Sequence, residues 1–297
     1  MSKKIGSLCL LLLTAAIWGF AFVAQIVAAQ SDVGNLTFNG ARFLLGSCSL
    51  IPVILIFERK SLTKKSVTYT VKSGLLCGLI LCIAANLQQY GAYLTDSAGK
   101  SSFMTGLYTV LVPIFAFLLF RKKSGWNIWI AVVLAMAGLY LLCMVGERFY
   151  FSYGEALLLI GAFFWAGHIL LIDHSASQAS PLLLSCVQFA VCGIISLLGG
   201  FIFESPSLSG LLDLKYPILY GGMMSVGIAY TLQVIAQRRA DPTSASIVLS
   251  TESIFGAIGG MLLLNETMGA LNYLGCALIF IGIVVAQLEL KSSKTTR

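Results

Sequence analysis

Ten apolar segments follow one another along this chain and are separated by short charged loops. They lie at approximately 5–28, 36–57, 73–94, 101–120, 126–145, 154–172, 181–203, 216–237, 244–264 and 269–288. A helix needs about 20 apolar residues to cross the hydrocarbon core of a bilayer, so each segment is long enough to span it. The sequence therefore predicts an all-α integral membrane protein with ten transmembrane helices, numbered here spans 1 to 10.

The composition agrees with a lipid environment. Hydrophobic residues make up 58% of the 297 residues and charged residues only 10%, against about 25% charged residues in ordinary soluble domains. The net charge of +7 does not indicate nucleic acid, because the basic residues lie in short loops between apolar segments. The 8 cysteines lie in apolar segments without CxxC spacing, which favours buried thiols over a disulfide or metal framework. We expect no metal and no cofactor.

The basic residues are distributed unequally between the two sides of the membrane. If the N-terminus is cytoplasmic, the loops on the outer side contain only Lys100, Arg148 and Lys215, and Arg42 lies within span 2. Cytoplasmic loops carry an excess of Lys and Arg. We therefore expect a multi-pass protein of the cytoplasmic (inner) membrane with both termini in the cytoplasm.

The sequence around Trp18, AAIWGFAF, is echoed around Trp165 by AFFWAGHI, 147 positions later. Each copy opens a set of five spans. An odd number of spans means that the second copy enters the membrane in the opposite orientation. We therefore predict two inverted five-helix repeats, residues 1–148 and 149–297, which is the plan of an alternating-access transporter.

The chain also resembles the drug/metabolite transporter superfamily, specifically its ten-helix EamA-type permeases. The residues that carry the likeness are Ala16 to Phe20, Ala41 to Phe43, Ala98 to Tyr108 with Pro113, Asp241 to Ala245, Glu252, and Asn265 with Glu266. Where the family often has Glu-Pro, Glu252 is followed by Ser253, which puts a proline kink there in doubt. The resemblance implies movement of a small metabolite across the inner membrane without naming the solute.

Polar and aromatic side chains recur at helical spacing in five of the spans, so each span presents one stripe. A shared, partly hydrated cavity explains these stripes economically, because polar groups at membrane depth need partners, water or a substrate. The residues predicted to bind substrate are Trp18, Gln25, Asn86, Gln89, Tyr93, Thr105, Tyr108, Trp165, His168, Tyr230, Gln233 and Gln237. The alternative is that these side chains pack spans together, the tryptophans as packing aromatics and the amides as interhelical hydrogen bonds.

Counting residues along each span predicts depth. Trp18 and Trp165 fall near the midplane. The outer half is predicted to hold Asn86, Gln89, Tyr93 and Tyr108, and the inner half Tyr230, Gln233, Gln237 and Glu252. The tryptophans are therefore predicted to flank the substrate between an outer and an inner polar ring.

Two charged residues lie well inside spans, whereas Glu155 lies within the first turn of span 6. Glu252 is a candidate proton carrier, and the alternative is a glutamate paired with the neighbouring Ser250, Thr251 and Ser253. Arg42 lies about 9 Å beyond the start of span 2, from the helical rise per residue. It either extends to the outer headgroups or pairs with an anionic substrate or a helix C-terminus.

These features together favour a secondary transporter, more specifically an exporter, of a small organic metabolite such as an amino acid or a hydrophobic amine. Two alternatives remain at this point, an intramembrane enzyme and a non-transporting receptor or assembly subunit. The sequence contains no Walker, HExxH or GxSxG pattern. The expected partners are a small-molecule solute and the lipid bilayer, with spans 5 and 10 as packing elements or as the interface of a homodimer.

Overall fold

The computed structural model describes residues 2–59, 62–95, 98–146, 151–263 and 267–288, and every regular element in these ranges is helical. Ten of the helical segments are long and apolar enough to span a membrane, as predicted. In chain order, spans 1 to 10 are Ile5–Ala29, Asn35–Phe57, Lys64–Thr95, Ser101–Phe120, Trp126–Cys143, Tyr153–Ala176, Pro181–Phe203, Lys215–Gln237, Pro242–Leu263 and Ala270–Gln287. Arg148, Asn265 and Glu266 lie outside the described residues.

Span 3 differs most from its prediction. The apolar window begins at residue 73, but the helix begins at Lys64 and has 32 residues. Its first turns carry Lys64, Lys65 and Lys72. A helix can continue beyond the apolar core wherever its charged side chains reach water, so hydropathy alone underestimates its length.

Span 9 is broken near its middle into the helices Pro242–Leu249 and Glu252–Leu263. The hydroxyls of Ser250 and Thr251 each donate to a backbone carbonyl one turn back, at 2.7 Å. Such bonds compete with the helical backbone ladder and favour a turn. The break therefore forms without the proline that the family pattern places after Glu252.

Two other spans also depart from a regular α-helix. Span 4 consists of Ala98–Gly106 and Tyr108–Phe120, so it breaks beside Tyr108. Span 8 contains the π-helical stretch Tyr220–Tyr230. A π-turn holds more residues than an α-turn, and stretches of this kind occur frequently at functional sites.

Spans 5 and 10 pack against each other in opposite directions. A Cβ atom added at either Gly138 or Gly275 would lie 2.6 Å from the carbonyl oxygen of the other glycine. The missing side chains thus allow direct contact between the backbones. This contact matches the packing role predicted as one of the two alternatives for these spans.

Spans 2 and 7 form a second antiparallel pair, and a glutamate at the end of each span caps the start of the other. Glu204 accepts the backbone N–H groups of Leu36 at 2.9 Å and Thr37 at 2.8 Å. At the opposite face of the membrane, Glu58 accepts those of Leu182 and Leu183, both at 3.1 Å. These carboxylates satisfy N–H groups that have no partner within their own helix.

Spans 5 and 10 are joined at both ends by a similar exchange between amides and carbonyls. Asn127, at the start of span 5, donates to the carbonyl of Leu288 at 3.0 Å. Asn272, at the start of span 10, donates to the carbonyl of Leu142 at 2.8 Å. Each contact satisfies a carbonyl group at the C-terminal end of the partner helix.

Candidate functional site

A central cavity of about 40 Å³ lies where the broken spans meet. Seven spans contribute to its wall, which is lined by Trp18, Phe22, Gln25, Arg42, Gln88, Thr105, Tyr108, Trp165, Ile169, Ser225, Tyr230, Gln233, Leu249 and Glu252. Nine of these residues are among the fourteen singled out from the sequence. The volume is enough for about one to three water molecules.

Tyr230 is the centre of the aromatic wall. Its ring centroid lies 4.4 Å from that of Trp18 and 6.1 Å from that of Trp165, with the latter ring stacked at an interplanar angle of 18°. Phe43 and Phe189, at 6.1 Å and 5.8 Å, pack around the same ring. The two tryptophans of the echoed motif therefore meet at one aromatic cluster, which can stack on the apolar part of a solute.

The hydrogen bonds of the two tryptophans differ. Trp18 Nε1 donates to the carbonyl of Ser225 at 3.2 Å, within the π-helical stretch of span 8. Thr14 donates to the carbonyl of Ala229 in the same stretch at 3.1 Å. Trp165 Nε1 is buried and has no hydrogen-bond partner in the described part of the chain. Span 1 is thus joined to span 8, and the indole of span 6 keeps a free donor.

Arg42 is only 3% exposed and faces the central cavity. Extension to the outer headgroups, one of its two predicted roles, is therefore wrong. Its Nε donates to Asn39 Oδ1 at 2.8 Å, and its guanidinium lies over the rings of Phe38 and Phe43 at 5.4 Å and 5.0 Å. An amide and two aromatic rings thus hold the cation at membrane depth.

Glu252 accepts a hydrogen bond from the Tyr108 hydroxyl at 3.1 Å. Both residues start the second half of a broken span, so the break places them at the cavity. The N-terminal end of a helix favours negative charge, which suits Glu252 at this position. The neighbouring Ser253 instead bonds to Ser102 at 2.6 Å, so the predicted pairing of Glu252 with adjacent hydroxyls is wrong in this structure.

The prediction of separate outer and inner polar rings is wrong for two residue pairs. Tyr108 was assigned to the outer ring and Glu252 to the inner ring, yet they are hydrogen-bonded. Tyr230, predicted for the inner ring, contacts Trp18, which is predicted to lie near the midplane. Counting residues predicts depth only along regular helices. It fails here because spans 4 and 9 are broken and span 8 is partly π-helical.

Asn86 and Gln89 lie behind the cavity wall. Asn86 accepts from Asn39 at 2.8 Å and donates to Ser196 at 2.7 Å, so it supports the amide that holds Arg42. Gln89 donates to the backbone carbonyl of Gln25 at 3.1 Å. Both residues match the alternative that amides join spans to one another.

His168, Gln237 and Tyr93 also lie outside the lining. His168 is fully buried, its Nε2 lies 2.9 Å from Gln188 Oε1, and its ring stands edge-on to that of Tyr230. Gln237 donates to a backbone carbonyl of span 6 at 3.0 Å. Tyr93 is 50% exposed and stacks on Tyr90 on the outside of the helix bundle.

Five lining residues were missed from the sequence: Phe22, Gln88, Ile169, Ser225 and Leu249. Phe22 and Ile169 each follow a motif tryptophan by four positions, a spacing that places them on its helical face. Gln88 adjoins Gln89, and the helical spacing of the polar residues predicted Gln89, whereas Gln88 lines the cavity. Ser225 lies within the π-helical stretch, where a period of 3.6 residues does not apply.

A second cavity of about 120 Å³ lies beside the first, between spans 1, 4, 5, 9 and 10. Phe22 belongs to the walls of both cavities. The hydrogen-bonded Ser102 and Ser253 also line the second cavity. This space lies near the C-terminal ends of spans 5 and 9 and the start of span 10, where Thr267 and Asn272 line it.

Relatives of this chain are known in bacteria and archaea. An uncharacterized transporter of Archaeoglobus fulgidus is 24% identical over 279 residues, which cover 94% of this chain and 85% of the relative. The uncharacterized inner membrane transporter YedA of Escherichia coli K12 is 23% identical over 281 residues, covering 92% and 87%. The uncharacterized transporter YwfM of Bacillus subtilis is 24% identical over 302 residues, covering 96% and 94%.

The fold is similar to that of a protein solved by crystallography, with a TM-score of 0.75, 18% sequence identity, and coverage of 93% of this chain and 95% of the other. The sequence pattern of the EamA-like transporter family matches twice, at residues 5–144 and 152–287. These matches take in all ten membrane helices. The chain is therefore a multi-pass membrane protein that belongs to the EamA-like transporter family.

Proposed function

We propose that this protein is a secondary transporter that exports a small organic solute, such as an amino acid or a hydrophobic amine, across the cytoplasmic membrane. Transport occurs by alternating access, with residues 1–148 and 149–297 acting as two inverted five-helix repeats. The solute binds in the central cavity, between Trp18 and Trp165. The family and the relatives support transport in general, and the cavity supports this particular site.

The observation that carries the proposal is a cavity where two broken spans meet. Transporters place their substrate sites near the bilayer midplane and build them from discontinuous helices. Spans 4 and 9 are discontinuous and contribute Tyr108 and Glu252 to the cavity. Buried polar groups at this depth are energetically costly, so their presence indicates a function.

Contacts that recur in pairs support the inverted repeat. The same shift of 146 positions relates Glu58 to Glu204 and Leu36 to Leu182, so the reciprocal caps of spans 2 and 7 are equivalent in sequence. Tyr108 and Glu252 are 144 positions apart and bind each other. A pseudo-twofold axis in the membrane plane would bring such equivalent groups together.

Hydrogen bonds near that axis also occur as equivalent pairs. On one side of Tyr108 and Glu252, Ser102 and Ser253 lie 2.6 Å apart; on the other, Thr109 donates to the carbonyl of Ser246 at 3.5 Å. A shift of 144 positions relates Ser102 to Ser246 and Thr109 to Ser253. The shorter contact lies between spans 4 and 9 on the side of the second cavity.

Differences between the halves support the view that this structure is one of two alternating states. Trp18 is bonded to span 8, whereas the indole N–H of the equivalent Trp165 has no partner among the described residues. Span 8 is partly π-helical, whereas the equivalent span 3 is α-helical throughout. In the opposite state these roles exchange between the halves.

Counterflow tests the proposal. The purified protein is reconstituted in liposomes loaded in turn with amino acids, amines, sugars and nucleosides, and entry of the same labelled solute is measured. We expect at least one solute to exchange faster than in protein-free liposomes. Chemical conversion of a solute would instead indicate an enzyme. The absence of both flux and conversion across the panel would contradict transport and favour a receptor or assembly subunit.

A further inference from the structure

The central cavity contains one cation and one carboxylate, and neither forms an ion pair with another described residue. Arg42 and Glu252 both line the wall and are 3% and 6% exposed. Within the described part of the chain, Lys122 forms an ion pair with Asp173 at 2.8 Å. This pair lies outside the cavity. Buried charges are costly unless they are paired, so this arrangement requires an explanation.

The surrounding residues hold Arg42 in one orientation. Its Nε is bonded to Asn39, and Asn39 in turn donates to the carbonyl of Ala85 at 3.2 Å and to Asn86 at 2.8 Å. The described hydrogen bond of the guanidinium uses Nε, so its two Nη groups remain to form the forked contact that suits a carboxylate.

Glu252 is likewise held by a neighbouring side chain of the cavity wall. The Tyr108 hydroxyl binds one of its two carboxylate oxygens. Arg42 and Glu252 both line the same cavity of about 40 Å³, so the two charges face one compact site.

Two neutral groups in the same wall also have unused hydrogen-bonding capacity. Trp165 Nε1 is a donor and Gln233 Oε1 is an acceptor, and both atoms are buried without a partner in the described ranges. Buried polar atoms are nearly always hydrogen-bonded. The wall therefore offers a donor and an acceptor in addition to a cation and an anion.

We infer that the solute of the proposed transporter is a zwitterion, whose carboxylate binds Arg42 and whose ammonium group binds Glu252. Its side chain packs between Trp18 and Trp165. A hydrophobic amine would leave Arg42 buried without a counter-ion and add a net positive charge at membrane depth. A simple carboxylic acid would leave Glu252 buried without a counter-ion. An amino acid satisfies both charges at once. This inference rests on the proposed function, and of its two solute classes it selects the amino acid over the hydrophobic amine.

Counterflow with matched solutes tests this inference. Each of the twenty common amino acids is measured first, and the best one is then compared with its decarboxylated amine and its deaminated acid. We expect the half-saturating concentration of the amino acid to be at least about tenfold lower than that of either relative, as expected for the loss of one buried charge pair. This comparison uses the unmodified protein and requires no variant to fold.

Variants assign each charge to its partner. Arg42→Gln should bring the amino acid close to its amine in half-saturating concentration, and Glu252→Gln should bring it close to the deaminated acid. Arg42→Lys retains the charge without the forked geometry and should lie between the wild type and Arg42→Gln. Arg238→Gln changes an exposed arginine after span 8 and should leave both ratios unchanged.

The outcomes separate this inference from the proposed function. If an amine is transported as well as its amino acid, or if the Arg42 and Glu252 variants leave both ratios unchanged, the zwitterion assignment is wrong and transport stands. If transport is restricted to uncharged solutes, the assignment is also wrong. If no solute of either panel is exchanged, the proposed function fails and the assignment fails with it.

Discussion

Tyr230 is the single residue at which the aromatic groups of both halves converge. Trp18 comes from the first repeat and Trp165 from the second, and both rings lie against Tyr230. Trp18 also forms a hydrogen bond with span 8, whereas Trp165 does not. The two indoles are therefore expected to contribute similarly to solute binding but differently to the stability of this state.

Replacing either tryptophan by Ala should reduce transport more than folding. Loss of the indole removes the aromatic wall beside the solute, and we expect flux per folded molecule to fall by about tenfold or more. Proteoliposome flux and thermal unfolding in detergent measure the two effects. Trp126→Ala is the matched control, since Trp126 is 82% exposed at the start of span 5. Equal losses in all three variants would contradict the role of the cavity.

Glu252→Gln should abolish the response of transport to an imposed proton gradient. Gln retains a carbonyl oxygen that can accept the hydrogen bond from Tyr108 but has no carboxylate to take up a proton. The measurement is the ratio of uptake with the proton gradient to uptake without it, in proteoliposomes and at a solute concentration that saturates each variant, because Glu252→Gln is also expected to weaken solute binding. Asp213→Asn, at an exposed site before span 8, should retain the response. Full gradient-driven transport by the Gln variant would eliminate Glu252 as the proton carrier.

At the scale of elements, the structure combines paired helices with broken ones. Spans 2 and 7, and spans 5 and 10, are held at both ends by reciprocal polar contacts. Spans 4, 8 and 9 contain the breaks and the π-helical stretch, and they line the cavity. Regular paired helices suit a scaffold, and interrupted helices suit the parts that rearrange.

Glu58→Gln and Glu204→Gln should each lower the free energy of unfolding by about 1 kcal/mol, because a neutral amide caps a helix N-terminus less well than a carboxylate. The two losses should be similar and nearly additive, since the sites are at opposite ends of the span pair. Thermal unfolding of the single and double variants in detergent, with Asp213→Asn as the control, measures this. A silent variant at one face would show that the caps are not equivalent.

The sequence predicts the helices better than the contacts between them. All ten spans follow from hydropathy, because each must satisfy its backbone hydrogen bonds internally. The reciprocal caps of Glu58 and Glu204 depend on which helices are neighbours, and no local pattern reports that. Gln88 rather than Gln89 faces the cavity because helix rotation is set by packing, which a stripe of polar residues does not resolve.

At the scale of the whole molecule, charge distribution predicts the orientation. Most Lys and Arg residues lie in loops on the side of the N-terminus, which predicts that both termini are cytoplasmic. Arg42 is the exception that hydropathy could not place, because its burial follows from helix packing: its partner Asn39 lies in span 2 and is itself bonded to Ala85 in span 3.

Labelling in intact cells tests the orientation. In a background with accessible cysteines replaced, Ser209→Cys in the loop before span 8 should react with a membrane-impermeant thiol reagent. Lys123→Cys, between spans 4 and 5, should react only after the cells are opened. Both positions are exposed, so reactivity reports the side of the membrane. The reverse pattern would show that the topology is inverted.

Alternation of the two halves around the central cavity is tested most directly by locking one side. Ser102 and Ser253 join spans 4 and 9 through hydroxyls 2.6 Å apart beside the second cavity. In a transport-competent background without native cysteines, Ser102→Cys/Ser253→Cys should form a disulfide on oxidation. The account predicts that solute counterflow stops in the oxidised protein and returns on reduction, with neither single variant affected. Undiminished counterflow by the fully cross-linked protein would contradict it.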